Sequence, residues 1–94
     1  MYYNLDMKVL YSKRIIKAVN SRRLPKEVWT DFRDALESLA RTRNFRLFDI
    51  KRLISHSDRV FYRMRIRRYR ALFHMDDKHI YVEDIGPRGS IYKP

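Results

Sequence analysis

Two alternating runs, Tyr62-Arg63-Met64-Arg65-Ile66 and Tyr69-Arg70-Ala71-Leu72-Phe73-His74-Met75, stand on either side of just two residues, Arg67-Arg68. Period-two alternation marks a strand with one buried face, and a two-residue gap has the length of a tight hairpin. With Arg67-Arg68 at the turn, Ile66 faces Tyr69, Arg65 faces Arg70, Met64 faces Ala71, Arg63 faces Leu72 and Tyr62 faces Phe73. Paired residues share a face. One face then carries Tyr62, Met64, Ile66, Tyr69, Ala71, Phe73 and Met75, and the other Arg63, Arg65, Arg70, Leu72 and His74. A register slip of one residue would drive arginines into the core, so the pairing is strongly specified.

Arg65 opposite Arg70 costs stability, on the scale of about 0.2–1 kcal/mol for like charges across an antiparallel pair. A phosphate chain would offset it, because guanidinium forks match phosphate oxygens and stay protonated at working pH. The alternative is neutralisation by nearby acids such as Glu83. The whole chain leans the same way: 22 Lys and Arg against 11 Asp and Glu give a net charge of +11 and a pI near 10.3. An acidic partner follows: nucleic acid, an anionic membrane or an acidic protein, against the plainer reading of a merely soluble basic surface.

At 94 residues, with 45% hydrophobic and 14% aromatic content, residues 1–94 are expected to form a single domain with one core. The absence of cysteine removes disulfides, thiolate nucleophiles and cysteine metal sites. Met1-Tyr2-Tyr3-Asn4 lacks the pattern of a signal peptide and the apolar runs are short, so a cytoplasmic protein with no membrane association is expected.

Residues 5–11 alternate as a strand, and Ser12 is placed to cap a short helix through Ile15, Ile16 and Val19. Leu24-Pro25 opens a second helix over 26–41, whose Val28, Trp29, Phe32, Ala35, Leu36, Leu39 and Ala40 form one apolar stripe. Trp29 and Phe32 on that stripe are assigned to packing rather than to base stacking. Residues 42–61 have no clean period, and Ser55-His56-Ser57-Asp58 reads as a loop. Asp76-Asp77-Lys78 supplies a turn before a further strand over 79–85, and Gly86 to Pro94 is a shaped, irregular tail that can hold Arg88 and Tyr92 at the end of the basic face. His74 is a secondary acid/base candidate on the basic face, though for it, as for His56 and His79, an ordinary surface histidine is the favoured reading. No histidine spacing suggests a metal site, no Walker loop or nucleophile elbow is present, and Asp76, Asp77, Glu83 and Asp84 are explained as turn residues and ion-pair partners.

In element order and in residues, the chain resembles the RelE/ParE toxin superfamily from about Met7 to Lys93. The matching parts are Leu24-Pro25-Lys26-Glu27-Val28, Asp49-Ile50-Lys51-Arg52-Leu53, the hairpin strands, and Gly86-Pro87-Arg88-Gly89-Ser90-Ile91-Tyr92. The resemblance implies an α+β fold: an N-terminal strand, then two helices packed on one face of a small curved antiparallel sheet. It further implies a RelE-like mRNA interferase, a ribosome-dependent, metal-independent endoribonuclease that inhibits translation, with no cofactor. Its catalytic residues would be Arg70, Arg88 and Tyr92, and its RNA-binding residues Arg63, Arg65, Lys51 and Arg52. A cognate acidic antitoxin and mRNA on the ribosome would be its partners, with oligomeric state set mainly by the antitoxin. The alternatives are a ParE-like toxin that binds DNA gyrase and a non-catalytic RNA-binding relative. Three departures stand out: Arg67-Arg68 where many relatives have glycine in the turn, Pro87 where many have histidine or lysine, and no C-terminal helix before Pro94.

Overall fold

A computed structural model describes residues 7–54 and 59–89 of the chain, with the side chain of Ile54 excepted. The sequence loop at 55–58, including His56, and the tail from Ser90, including Tyr92, lie outside the described residues. Strand β1 (Lys8–Tyr11) leads into helix α1 (Lys13–Asn20), and helix α2 (Lys26–Thr42) follows. A single 3-10 turn (Phe45–Leu47) precedes strands β2 (Ile50–Ile54), β3 (Val60–Ile66), β4 (Tyr69–Met75) and β5 (His79–Pro87).

The helices start where local chemistry says they should. Ser12 sits in extended backbone, and its Oγ accepts the Ile15 N–H at 3.3 Å, which satisfies one of the otherwise orphaned donors of α1. Pro25 precedes α2, its φ of −57° suited to entering a helix. From there Val28, Phe32, Leu36, Leu39 and Ala40 are buried in one stripe. Trp29 packs against the core and meets Tyr11 edge-on at 4.7 Å, so both aromatics of the stripe serve packing.

The sheet order is β1-β5-β4-β3-β2. β2 to β5 are antiparallel neighbours, but β1 joins β5 in parallel, so the sheet is mixed rather than purely antiparallel. Local sequence carries no sign of strand direction; here α1, α2 and the hairpin intervene before the chain returns alongside β1, long enough for the crossover a parallel pair requires. The β3–β4 register is the one read from the sequence, with Arg65 opposite Arg70 and Tyr62 opposite Phe73. Met64, Ala71 and Phe73 are buried in the core with α2, and Tyr62, Ile66, Tyr69 and Met75 pack around them.

A bulge resets the phase of β5. Phe73 pairs with Val82 but Leu72 pairs with Asp84, so Glu83 is the extra residue. Ile80 and Val82 face the core before it and Ile85 after it, which is why the apolar residues of this strand fall two and then three apart. Beyond the bulge, Gly86 comes to lie opposite Arg70 and Pro87 opposite Tyr69.

Candidate nucleic-acid interface at the hairpin end of the sheet

The solvent face of the sheet is divided. Its middle is apolar and aromatic: Leu72 and Phe61 are buried there, and Phe61 meets His74 edge-on at 5.2 Å. His74 stacks on Tyr81 at 4.9 Å, and its Nε2 lies 2.8 Å from Glu83 Oε1. This secondary acid/base candidate is thus already held by a carboxylate, and Glu83 serves it rather than the arginines. The cations gather instead at the hairpin end.

There, Arg65, Arg67, Arg68, Arg70 and Arg88 line a groove of about 370 Å³ together with Pro87. Arg70 stands in the middle of the charge. Partial burial, then repulsion from Arg63, Arg88 and Arg65, pulls it below the ordinary arginine range, with Asp49 acting in the opposite sense. A guanidinium so placed remains a cation at neutral pH and gains most when a polyanion arrives. The Arg88 N–H donates to the Arg68 carbonyl at 3.0 Å, which ties the end of β5 to the hairpin turn and brings Arg88 to the cluster.

Of the residues singled out from sequence, Arg63, Arg65, Arg70 and Arg88 are therefore brought together. Lys51 pairs with Arg63 across β2–β3 and so shares its face, exposed at the margin of the cluster. Arg52 pairs with Tyr62 and lies on the opposite face, so it does not join them. Tyr92 lies outside the described residues.

Sequence reasoning missed three participants. Arg67 and Arg68 read from the sequence only as a turn, although any residue at the tip of a hairpin between two basic strands must border the same groove. Arg67 adopts φ 54°, the sign pattern of a type II′ turn that normally takes glycine first, and it pairs with Asp31 of α2. The third is Asp49, whose Oδ2 accepts from both Nε and a terminal nitrogen of Arg65, each at 2.8 Å, while its carbonyl accepts the Arg65 N–H at 2.9 Å. Asp49 on Arg65 and Asp31 on Arg67, not Glu83, are the acids that partly neutralise the cluster. Both side chains of the Asp49–Arg65 pair are 57% exposed, a setting in which an ion pair is worth about 0–1 kcal/mol. An incoming phosphate can displace the carboxylate at little cost.

Among the described residues no group of three or more His, Cys, Asp or Glu side chains comes together as a metal site, and no helix is long and apolar enough to cross a membrane. What the groove offers is fixed positive charge and planar donors, suited to a phosphodiester backbone.

No family model matches the chain, and no curated protein does. Among solved structures, a chain of the archaeal RelE-RelB complex from Pyrococcus horikoshii OT3 is similar at 31% identity and a TM-score of 0.61. The similarity covers 92% of this chain and 99% of that one. On that likeness, which spans nearly the full length of both chains, the protein belongs to the RelE-like toxin family of the RelE/ParE superfamily.

Proposed function

We propose that this protein is a toxin that cuts mRNA on the ribosome without a metal ion, in the cytoplasm, and that an acidic antitoxin partner holds it in check. The observation that carries the reading is Arg70 set among Arg63, Arg65 and Arg88 in a groove with five arginines along its walls. Such a groove binds a backbone and stabilises the negative charge that builds on a phosphorane, which is the larger part of metal-free RNA cleavage.

In this chemistry the RNA supplies its own nucleophile. The 2′-oxygen attacks the adjacent phosphorus, the P–O5′ bond breaks, and a 2′,3′-cyclic phosphate forms; the 2′-hydroxyl gives up a proton and the departing 5′-oxygen takes one. Arg70 and Arg88 are assigned to the non-bridging oxygens, and Arg63, Arg65 and Lys51 to neighbouring phosphates. Tyr92, outside the described residues, is assigned to proton handling. Arginines cannot act as bases at neutral pH, so the ribosome is assigned part of the positioning and proton transfer. An acidic, partly disordered segment of an antitoxin would cover the same cations, by analogy with the RelB partner named for the similar structure.

The test is to incubate the protein with ribosomes stalled on a defined mRNA and map new RNA ends, with gyrase supercoiling assayed in parallel. Cuts confined to the ribosome-bound message, each leaving a 2′,3′-cyclic phosphate, are the expected result. Intact message together with inhibited supercoiling would replace this reading with a gyrase-directed one.

A further inference from the structure

A second basic groove adjoins the first around the edge of the sheet. It has a volume of about 310 Å³ and is lined by Arg14, Arg23, Leu24, Asp84, Gly86 and Pro87, among others. Pro87 lines both grooves, and Gly86, which lines the second, is the register partner of Arg70 in the first. The end of β5 at Gly86-Pro87 is thus common ground between them, and Gly86 raises no side chain there.

The opening exists because β1 stops short. Its pairing with β5 ends at Tyr11 opposite Val82, where the Ser12 N–H donates to the Val82 carbonyl at 3.0 Å and its hydroxyl donates to the Glu83 carbonyl at 2.7 Å. From there the chain turns away into α1, leaving the outer edge of β5 from Asp84 to Pro87 beside the helix rather than beside a strand. Arg14 is 55% exposed and is steered over the groove by Asp84, 3.5 Å away and only 13% exposed. Arg23 is exposed on the turn after α1, with its Nε donating to Ser21 Oγ at 3.2 Å. Around them stand Lys13, Lys17, Arg22 and Lys26, all exposed, and no acid occurs anywhere from Ser12 to Lys26. Among the described residues Asp84 is the one carboxylate lining the groove, and it is committed to Arg14.

We propose that a single RNA strand leaving the arginine groove crosses the end of β5 at Gly86-Pro87 and sets further phosphates in this second groove, on Arg14 and Arg23. The RNA-binding surface is then a two-groove track, and the length of strand that it grips is set by both. This rests on the reading that the first groove binds RNA, and it adds a subsite on α1 that no hairpin residue supplies.

The experiment measures binding of oligouridylates of about 3 and about 12 nucleotides, the second long enough to span both grooves, across a salt series. Arg14→Ala/Arg23→Ala is expected to weaken the long oligomer about tenfold and leave the short one unchanged. The salt slope for the long oligomer should fall by about 0.7 for each phosphate that the variant no longer neutralises. Arg23→Ala alone, which keeps the Arg14–Asp84 pair, should move the long oligomer in the same direction by less. Arg70→Ala should weaken both lengths. Equal loss at the two lengths, or no loss at either, would overturn the second groove while leaving the first intact. If the wild-type protein binds neither oligomer, or Arg70→Ala changes neither, the RNA-binding reading itself fails and takes this inference with it.

Discussion

Three arginines, Arg22, Arg43 and Arg67, hold positive φ at 62°, 52° and 54°, in a chain that has only two glycines. Each stands where a left-handed residue ends a helix or makes a turn, and each trades local backbone strain for a cation at the surface. Two other residues carry measurable consequences. The Tyr11 hydroxyl is buried with no hydrogen-bond partner among the described residues, and burial, followed by the field of Glu37, pushes its pKa well above the ordinary tyrosine range. Tyr11→Phe keeps the ring against Trp29 and removes the orphan, so a gain of about 1 kcal/mol is expected, read as a rise of roughly 4–8 °C in Tm. An unchanged or lower Tm would show that the hydroxyl is satisfied in solution. Asp76 makes the opposite kind of contribution. N–H groups of Lys78 and His79 and the Tyr81 hydroxyl donate to it at 2.8–2.9 Å. The Lys78 N–H first, then Tyr81, hold its pKa at about 2, against an ordinary 3.8, while partial desolvation works the other way. A depressed carboxylate stabilises the fold above its unfolded pKa and ceases to do so as pH falls through the folded one. Wild-type and Asp76→Ala melting curves should therefore differ above pH 4 and converge as pH is lowered through about 2. A gap that persists unchanged in acid would contradict the assignment.

At the scale of elements, the hairpin is legible in the sequence because two signals agree: the alternation of Tyr62 to Ile66 with Tyr69 to Met75, and a spacing that leaves only Arg67-Arg68 between them. Helix α2 is legible for the same reason, its apolar stripe running in phase along its length. β2 is not, because a 3-10 turn over Phe45–Leu47, capped by Phe48, precedes it, and Leu47 is 60% exposed while Phe45 and Phe48 pack on the core, so no single period describes the segment. Without β2 in register, neither the Asp49–Arg65 pair nor the separation of Lys51 from Arg52 is derivable. The bulge at Glu83 does leave a trace, in the spacing of Ile80, Val82 and Ile85, but deciding between a bulge and a strand end needs the partner strand. The turn itself gives a prediction. Arg67→Gly and Arg67→Ala both remove the ion pair with Asp31, yet only glycine relieves the left-handed backbone, so the glycine variant should be more stable by about 1 kcal/mol in urea unfolding. Equal midpoints would mean that the turn relaxes away from positive φ.

On the scale of the whole molecule, the net charge of +11 is distributed, not uniform. The middle of the open sheet face is occupied by rings and by Leu72, while guanidinium groups collect where the hairpin tip meets the end of β5. Strand alternation alone puts Arg63, Arg65 and Arg70 on one face; only the fold brings Arg88 to them, through its N–H to the Arg68 carbonyl. That convergence is the physical basis for a backbone-binding site, and RNA cleavage is the activity proposed for it. The decisive measurement is the single-turnover cleavage rate of ribosome-bound mRNA for the wild type, Arg70→Ala and Arg88→Ala, with folding of each checked by far-UV circular dichroism and thermal melting. Loss of a preorganised donor to the transition state is worth about 100- to 1,000-fold in rate, so each variant should fall by that order while melting like the wild type. Wild-type rates in both folded variants would contradict the proposed site.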